Sequence, residues 1–379
     1  MKKINLCFFI GSFQMGGAEN LLLQIIKNLD KRKYKIYLAV HKKEGKLLPK
    51  YEELDIEITA FPKKKYFFKS AYLFYIFLKE KKIDCIHIHL VSTFFFAISV
   101  AKLVGIKNII VHWHNVYGQK RHDKLNFIRR KYKVTRGIFL LKYSYIFSNN
   151  IIAISEQVKI HNCLKFNLST RKVILIYNAI DSSLIPKNKL SERNSFLIGT
   201  IGKVTEQKGY DTLLKAMRIV VNWNPNIHLE VIGDLKAKGT EIYGDKILKL
   251  RKNLNLDNNV NFIGSINYDK VFERLYSWSV FVLASKWEGF GLVLIEAMAT
   301  ETPVIANNID AIPEIINNND SGVLFKKNDP YDLAKQIIWL LKNKDISDSI
   351  AKSGKLQVQS KFSINRMINE LDIVYSKNY

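Results

Sequence analysis

The sequence predicts an α/β protein with two doubly wound domains, and three observations support that prediction. Short apolar runs alternate with longer helical patterns along the chain, as in βαβ units with a parallel sheet. A length of 379 residues favours two domains over one. The pattern also restarts after the polar stretch 186–194, so that each half opens with a strand running into a glycine-bearing loop.

The periodicity predicts individual elements in each half. First-half strands are predicted at residues 4–10, 35–40, 83–89, 108–113, 151–154 and 173–177, with helices such as 18–29 and 93–104 between them. Second-half strands are predicted at residues 196–202, 228–233, 260–263, 280–283, 304–306 and 323–325, before a helical tail from about Tyr331. The domains would span residues 1–188 and 189–361, with a helix at about 362–379 packing back on the first. They would face each other across a ligand cleft at the carboxyl ends of their strands.

Composition excludes several protein classes. A hydrophobic fraction of 47% and a charged fraction of 25% are those of a globular protein, not of a disordered, collagen-like or disulfide-stapled chain. The three cysteines, Cys7, Cys85 and Cys163, are far apart and outside any C-x-x-C, as expected in a reducing compartment. No apolar run reaches 18 residues, so no transmembrane helix is expected. A glycine turn follows the first apolar run, which therefore predicts a strand rather than a signal peptide.

The net charge of +25 is concentrated in the first half. Residues 1–190 hold 35 Lys+Arg against 12 Asp+Glu, whereas the second half holds 24 against 22. Two segments carry much of the excess: one runs from Lys63 to Lys82 and is rich in Phe and Tyr, and the other runs from Lys120 to Lys142. Such segments suit an anionic membrane surface or a nucleic acid. Because no nucleic-acid module is recognisable, we expect the membrane and no nucleic-acid partner.

Two features at predicted strand ends of the first half are candidates for ligand binding. Gly16 and Gly17 lie in a loop that opens a helix, where backbone N–H groups can approach an anion, although the loop lacks G-x-G-x-x-G and could simply be a turn that needs glycine. His112 and His114 alternate onto one face of their strand. In sequence the pair lacks the further ligands of a metal site, and cleft and core positions are equally compatible with it.

A loop in the second half suits a diphosphate. Lys203 and Lys208 flank it beside the start of a helix near Asp211, where cations and backbone N–H groups together favour phosphate. The loop is not a Walker A sequence, and two solvated surface lysines would give the same pattern.

The most unusual position is Glu296. The predicted helix from about Leu292 to Ala299 is otherwise apolar on all sides, and an all-apolar helix is a buried one. A buried carboxylate requires a partner, which could be a ribose diol or a lysine of the protein. Glu288 precedes the helix beside glycines whose backbone can reach a ligand.

Taken together, these motifs resemble glycosyltransferase family 4, the retaining nucleotide-sugar transferases of GT-B fold. The run from Glu288 to Glu296 is similar to the family's E-x7-E motif, and the glycine pair is similar to its first-domain loop. Further similarity lies at Ser155-Glu156, at Tyr177-Asn178 and at Thr302-Pro303.

The resemblance implies roles for these residues. Glu296 would bind the donor ribose, Lys203 and Lys208 would neutralise the diphosphate, and Gly16 and Gly17 would approach the diphosphate and the acceptor. The catalytic pair would be His114, which would contact the donor sugar, and Glu288. The remaining donor-sugar contacts would come from Phe290, Gly291 and Leu292. No metal or cofactor is expected, because lysines and helix N-termini would stabilise the departing diphosphate.

The resemblance therefore implies a retaining, metal-independent hexosyltransferase that extends a lipid-linked glycan for a capsule or lipopolysaccharide, at the cytoplasmic face of the membrane. Three positions depart from the family pattern: Lys203 replaces an arginine, Asp310-Ala311 replaces a glycine pair, and Ala179 replaces a glycine. A nucleotide-sugar epimerase or hydrolase of the same fold, or a non-catalytic basic membrane or nucleic-acid partner, are the alternatives. The sugar, nucleobase, acceptor and oligomeric state are left open.

Overall fold

The computed structural model describes residues 3–14, 16–62, 67–117, 127–186, 193–235 and 239–377, without the side chains of residues 127–134. The chain divides into two compact units: one comprises Met1–Ala179 and Ile364–Tyr379, and the other comprises Ile180–Ser363. The expected boundary at residues 188/189 lies outside the described residues. Each unit is described by itself below.

The first unit is built on a parallel sheet of seven strands in the order β3-β2-β1-β4-β5-β6-β7. Its strands are β1 (Ile4–Ile10), β2 (Tyr34–Val40), β3 (Glu57–Ala60), β4 (Cys85–His89), β5 (Asn108–Trp113), β6 (Asn150–Ala153) and β7 (Val173–Leu175). The helices between them are α1 (Gly17–Asn28), α2 (Leu48–Glu52), α3 (Phe67–Glu80), α4 (Val91–Val104), α5 (Phe127–Phe147) and α6 (Glu156–Phe166). The central strands are buried on both faces, which explains their nearly continuous apolar sequence.

The second unit repeats the plan with six strands in the order β10-β9-β8-β11-β12-β13. Its strands are β8 (Asn194–Ile201), β9 (His228–Ile232), β10 (Val260–Gly264), β11 (Trp278–Leu283), β12 (Val304–Asn307) and β13 (Val323–Phe325). Its helices are α7 (Tyr210–Trp223), α8 (Glu241–Asn253), α9 (Val271–Ser277), α10 (Leu292–Ala299), α11 (Ile312–Ile315), α12 (Pro330–Lys342) and α13 (Lys344–Lys361).

The final helix, α14 (Ile364–Tyr375), belongs to the first unit. Its apolar face, which includes Met367, Leu371 and Tyr375, joins the core formed by β1, β2 and α1. Lys33 also pairs with Asp372 of this helix at 2.6 Å. None of the helices in the described part of the chain is long and apolar enough to cross a membrane.

All twelve strands that the sequence predicts are present, each with ends within two residues of the expected ones. Strand β3 and helix α2 were not predicted. The edge strand β3 is only four residues long, and its burial is partial, so it lacks the apolar run that marks the central strands.

Candidate functional site

Both sheets reverse their winding at one point, and the candidate residues of each unit lie at the carboxyl ends of the strands there. In the second unit the sheet grows outwards from β8 in one direction and from β11 in the other. The loops that follow adjacent strands at such a switch point border a crevice, which is where doubly wound folds bind ligands. Lys203 and Lys208 follow β8, and Glu288 follows β11.

Lys208 and Glu288 form an ion pair across the two loops. The Lys208 Nζ lies 2.7 Å from the Glu288 Oε2, and the hydroxyl of Ser285 donates to the same oxygen at 3.2 Å. The two charged side chains are only 19% and 13% exposed, so the pair is screened less than a surface ion pair. Lys203, by contrast, is exposed, and no carboxylate among the described residues pairs with it. The pair fixes Lys208 while two of its three N–H donors remain for a ligand.

Backbone contacts hold the same two loops together. The backbone N–H of Lys286 donates to the Gln207 carbonyl at 2.7 Å, and the Gln207 side chain donates to the Trp287 carbonyl at 3.1 Å. Lys286 also places a third cation beside the loops, where its Nζ lies 2.9 Å from the Asp211 carboxylate. The geometry of Lys208 and Glu288 is therefore fixed by the loop backbone as well as by their mutual attraction.

Gly209 permits this approach, and its substitution provides a first prediction. Its φ of +65° lies in the left-handed region, and an added Cβ would lie 2.0 Å from the Ala284 carbonyl oxygen. We expect Gly209→Ala to lower the free energy of unfolding by roughly 2–4 kcal/mol, because the backbone is strained and the two loops must separate. Thermal and urea unfolding of the full chain measure the loss.

Gly239→Ala is the matched control, because Gly239 also has a positive φ, +86°, but nothing lies within 4 Å of its added Cβ. The Gly239→Ala substitution should lower the free energy of unfolding by about 1 kcal/mol. Equal losses in the two variants would show that the loop contact at Ala284 contributes nothing.

Glu296 lies on α10 and accepts a hydrogen bond from a tyrosine. Tyr268 lies just before α9, and its hydroxyl donates to the Glu296 Oε1 at 2.8 Å. Loss of hydration on burial raises the pKa of Glu296 to about 7, although the tyrosine hydrogen bond acts in the opposite direction. In the described part of the chain no lysine or arginine pairs with this carboxylate. The lysine partner that the sequence left open is therefore not observed, and the carboxylate keeps capacity for further donors.

The segment between the two glutamates turns sharply into α10. Gly291 has a φ of +107° and caps the helix, which begins at Leu292. Phe290 is buried and its ring lies 5.7 Å from that of Phe362, so its side chain packs in the core of the unit. A ligand at this turn would therefore meet the backbone of Phe290 rather than its ring.

Asp310 compensates for the missing glycine pair. It adopts a φ of +43°, in the left-handed region that a glycine would favour, and its carboxylate accepts a hydrogen bond from the Glu288 backbone N–H at 3.0 Å. Aspartate tolerates this conformation better than most residues. The substitution thus keeps the turn and adds a contact that positions Glu288.

In the first unit the winding reverses between β1 and β4. Gly16 caps α1 and Gly17 is its first residue, so the pair lies after β1 at the start of a helix, as expected. His114 follows β5, the strand next to β4. All three residues therefore lie at the carboxyl edge of the sheet.

His114 belongs to a cluster of four histidines. His112 and His114 share a face of β5, with ring centroids 4.2 Å apart, and His87 and His89 join them from β4. Within this buried cluster the His114 Nε2 lies 3.0 Å from the His89 Nδ1. The expectation that the His112–His114 pair lacks further ligands was wrong, because the neighbouring strand supplies two more imidazoles.

Burial makes these imidazoles neutral. It lowers the pKa of His114 to about 3 and the pKa values of His87, His89 and His112 well below the usual range. His112 is fully buried, whereas His114 retains an 8% exposed fraction at the strand end. Of the pair, His114 is therefore the one placed to meet a ligand, and it would do so as a hydrogen-bonding group rather than as a cation.

Two family descriptions match the chain in succession. Residues 15–184 match Glycosyltransferase Family 4, and residues 181–357 match Glycosyl transferases group 1. Together the two matches cover residues 15–357, and the chain is a family 4-like glycosyltransferase. The resemblance on which the sequence analysis relied is thereby confirmed, and this glycosyltransferase carries the family's E-x7-E motif at Glu288 and Glu296.

Relatives and solved structures agree with this assignment. The glycosyltransferase is 28% identical over 248 residues to the capsular polysaccharide biosynthesis glycosyltransferase CapM of Staphylococcus aureus, with 62% of this chain and 63% of CapM covered. It is 24% identical over 325 residues to the UDP-Gal:alpha-D-GlcNAc-diphosphoundecaprenol alpha-1,3-galactosyltransferase of Escherichia coli, with 81% and 79% covered. The crystal structure of Anabaena HepE in complex with UDP and glucose matches with a TM-score of 0.84 and 17% identity, over 98% of this chain and 99% of HepE. The fold is GT-B.

The structure adds residues of this glycosyltransferase for which the sequence predicted no role. Ser285, Lys286 and Asp310 surround the Lys208–Glu288 pair, and Tyr268 contacts Glu296. Of these four residues only Asp310 carried a signal in the sequence, as a position that departs from the family pattern. His87 and His89 also carried a signal, because their His-x-His alternation predicts that both side chains lie on one face of their own strand.

Proposed function

We propose that this glycosyltransferase transfers a hexose, with retention of anomeric configuration, from a nucleotide-sugar donor to a lipid-linked glycan in cell-surface polysaccharide synthesis. The observation that carries the proposal is the pair of glutamates at the switch point of the second unit: Glu288 is held by Lys208, and Glu296 is held by a tyrosine rather than by a cation. The Escherichia coli relative, by its name, uses UDP-Gal and a diphosphoundecaprenol acceptor, which supports a uridine donor and a lipid-linked acceptor.

The donor would be bound mainly by the second unit. Glu296 accepts the two ribose hydroxyls, since one carboxylate oxygen remains beside the Tyr268 contact. Lys208 and the exposed Lys203 neutralise the diphosphate, and Glu288 with the backbone of Phe290, Gly291 and Leu292 holds the transferred sugar. Gly16, Gly17 and His114 are the proposed contributions of the first unit, to the diphosphate, the acceptor and the donor sugar.

The proposed reaction develops negative charge on the departing nucleoside diphosphate. The bond between the anomeric carbon and the β-phosphate oxygen breaks, and its electron pair leaves with the diphosphate, whose charge the lysines stabilise. The acceptor hydroxyl attacks the same face of the sugar and gives its proton to the departing phosphate oxygen. Neutral His114 suits a hydrogen bond to the sugar better than proton transfer, because its pKa is about 3.

The decisive test measures donor consumption. A panel of nucleotide sugars is screened for thermal stabilisation of the full chain, because a bound donor raises the melting temperature. The stabilising donor is then incubated with lipid-diphosphate glycans, with and without Mg²⁺ and Mn²⁺, and nucleoside diphosphate and product are measured. We expect acceptor-dependent release of the diphosphate, an α-linked product from an α-linked donor, and a rate that the ions do not change. Donor hydrolysis without transfer would contradict the proposal.

The proposal includes attachment to an anionic membrane surface through the first unit. Helix α3 carries Phe68, 86% exposed, beside exposed Lys69. On α5, Phe139 is 54% and Phe147 is 40% exposed, and the Phe95 ring of α4 contacts Phe139. Exposed aromatic side chains among lysines are typical of an interfacial surface. Of the two basic segments, residues 63–66 and 120–126 lie outside the described part.

Sedimentation with lipid vesicles tests this attachment. We expect the full chain to bind vesicles containing anionic phosphatidylglycerol, to bind phosphatidylcholine vesicles weakly, and to dissociate as salt is raised. Phe139→Ser with Phe147→Ser should weaken binding at least about tenfold, because each ring buries apolar surface in the interface. Leu356→Ser, which removes a 65% exposed side chain from the second unit, is the matched control. Equal binding to neutral and anionic vesicles at low salt would refute the attachment.

A further inference from the structure

The histidine cluster contains polar atoms that the fold leaves unsatisfied. His87, His89 and His112 have no exposed surface, and one nitrogen from each lies within 4.8 Å of the others. Four imidazole nitrogens have no hydrogen-bond partner among the residues that the structure describes: the Nε2 of His87, the Nε2 of His89, and both nitrogens of His112. Burial of an unpaired polar atom costs roughly 1–3 kcal/mol, so four such atoms in one place are donors suited to a common ligand.

The remaining nitrogens of two of these histidines are already held. The Nδ1 of His87 lies 2.8 Å from the Tyr375 hydroxyl of α14, and the Nδ1 of His89 lies 3.0 Å from the Nε2 of His114. Histidines that bind metals usually have their second nitrogen fixed in this way, which orients the ring and leaves the first nitrogen for the ion. The unpartnered nitrogens of His87 and His89 are both Nε2, and both residues belong to the group whose ligand nitrogens lie within 4.8 Å of one another.

From these observations we propose that the Nε2 atoms of His87 and His89 and one nitrogen of His112 bind a first-row divalent cation of the Zn²⁺ type. Three imidazoles are a known donor set for zinc, with Zn–N distances of about 2.1 Å and a water or other ligand in the fourth position. Nitrogens around a tetrahedral ion lie about 3.4 Å apart, so modest rotations of the rings bring them into range. No metal is proposed for the donor diphosphate.

The ion would fix the hydrogens of the cluster. When the Nε2 of His89 binds the cation, its Nδ1 carries the hydrogen and donates it to the Nε2 of His114. His114 then carries its own hydrogen on Nδ1. Likewise, the His87 Nδ1 donates to the Tyr375 hydroxyl. The ion thereby joins β4 and β5 to the C-terminal helix and sets the tautomer of His114.

Metal binding by the full chain tests the proposal directly. Protein stripped with a chelator is titrated with Zn²⁺, and bound metal is measured after dialysis. We expect one Zn²⁺ per chain, a rise in melting temperature, and visible Co²⁺ absorption typical of tetrahedral coordination when Co²⁺ replaces Zn²⁺. His87→Gln and His112→Gln should remove the bound ion, and His228→Gln, at an exposed histidine of the second unit, should retain it.

Because substitution of the buried histidines could prevent folding, Tyr375→Phe is included as a less disruptive variant. It keeps the ring and removes only the hydroxyl that orients His87, and it should weaken Zn²⁺ binding about tenfold. Stripped wild-type protein that takes up no Zn²⁺, or folded His112→Gln protein that binds it as tightly as wild type, would overturn the proposal. Loss of the ion in His228→Gln would assign it to a surface site and would overturn the proposal equally.

Discussion

Replacement of Glu288 by alanine should severely impair sugar transfer and leave the fold intact. The side chain is 13% exposed and its interactions are polar: Lys208 and Ser285 donate to one carboxylate oxygen. Loss of the Glu288 carboxylate opens no apolar cavity. It does leave Lys208 without its ion-pair partner, and it removes the proposed contact with the transferred sugar. We expect kcat to fall about 100- to 1000-fold, as when a single preorganised group is removed from an active site. Steady-state transfer assays with the stabilising donor measure this change.

Two further variants separate the roles of Glu288. Glu288→Gln keeps the shape and removes the charge, so it should still bind nucleoside diphosphate while transfer remains severely impaired. Ser285→Ala removes only the 3.2 Å hydrogen bond to Glu288 and should lower kcat less than tenfold. Circular dichroism and thermal unfolding check that each variant is folded. Unimpaired transfer by folded Glu288→Ala protein would remove Glu288 from the site.

The fold was predictable because its signals are local. Buried parallel strands such as β1 and β11 are nearly continuous apolar runs, and α10 stands out as an apolar helix that contains a single carboxylate. The E-x7-E spacing therefore identified Glu288 and Glu296 from sequence. The edge strand β3 was missed because an edge position, with one neighbour and little burial, does not impose an apolar sequence.

The surroundings of those residues were not predictable, because they depend on which strands become neighbours. Tyr268 lies 28 residues before Glu296 and meets it only after the chain has passed through α9, β11 and the turn into α10. The four histidines come together because β4 and β5 are adjacent in register, with His89 opposite His112. A pattern within one strand contains no information about that register.

Replacement of Glu296 by glutamine should stabilise the unliganded protein at neutral pH and weaken donor binding. The pKa of Glu296 in the folded protein is about 7, above its value of roughly 4.3 in an unfolded chain. Between these values the folded state holds a proton that the unfolded state has lost, so the wild type loses stability as pH rises through that window. At pH 8 the ionised carboxylate should lower the free energy of unfolding by about 1–3 kcal/mol. This range already allows for the partial contact of the side chain with solvent. Glutamine has no charge to bury.

The measurement compares two pH profiles. The melting temperatures of wild type and Glu296→Gln should nearly coincide at pH 4.5 and diverge by several degrees at pH 8, where the variant should melt higher. Glu273→Gln, at an exposed position on α9, is the control and should follow the wild type at both pH values. Affinity for the stabilising donor should show the opposite effect. The variant should bind it 10- to 100-fold more weakly, about the worth of hydrogen bonds to an ionised group, and the wild type should bind it more strongly as pH rises through 7. The cost of an ionised carboxylate in the unliganded protein is then offset by the ribose hydroxyls when the donor binds. A variant less stable than wild type at pH 8, with unchanged donor affinity, would show that Glu296 supports the fold rather than the nucleotide.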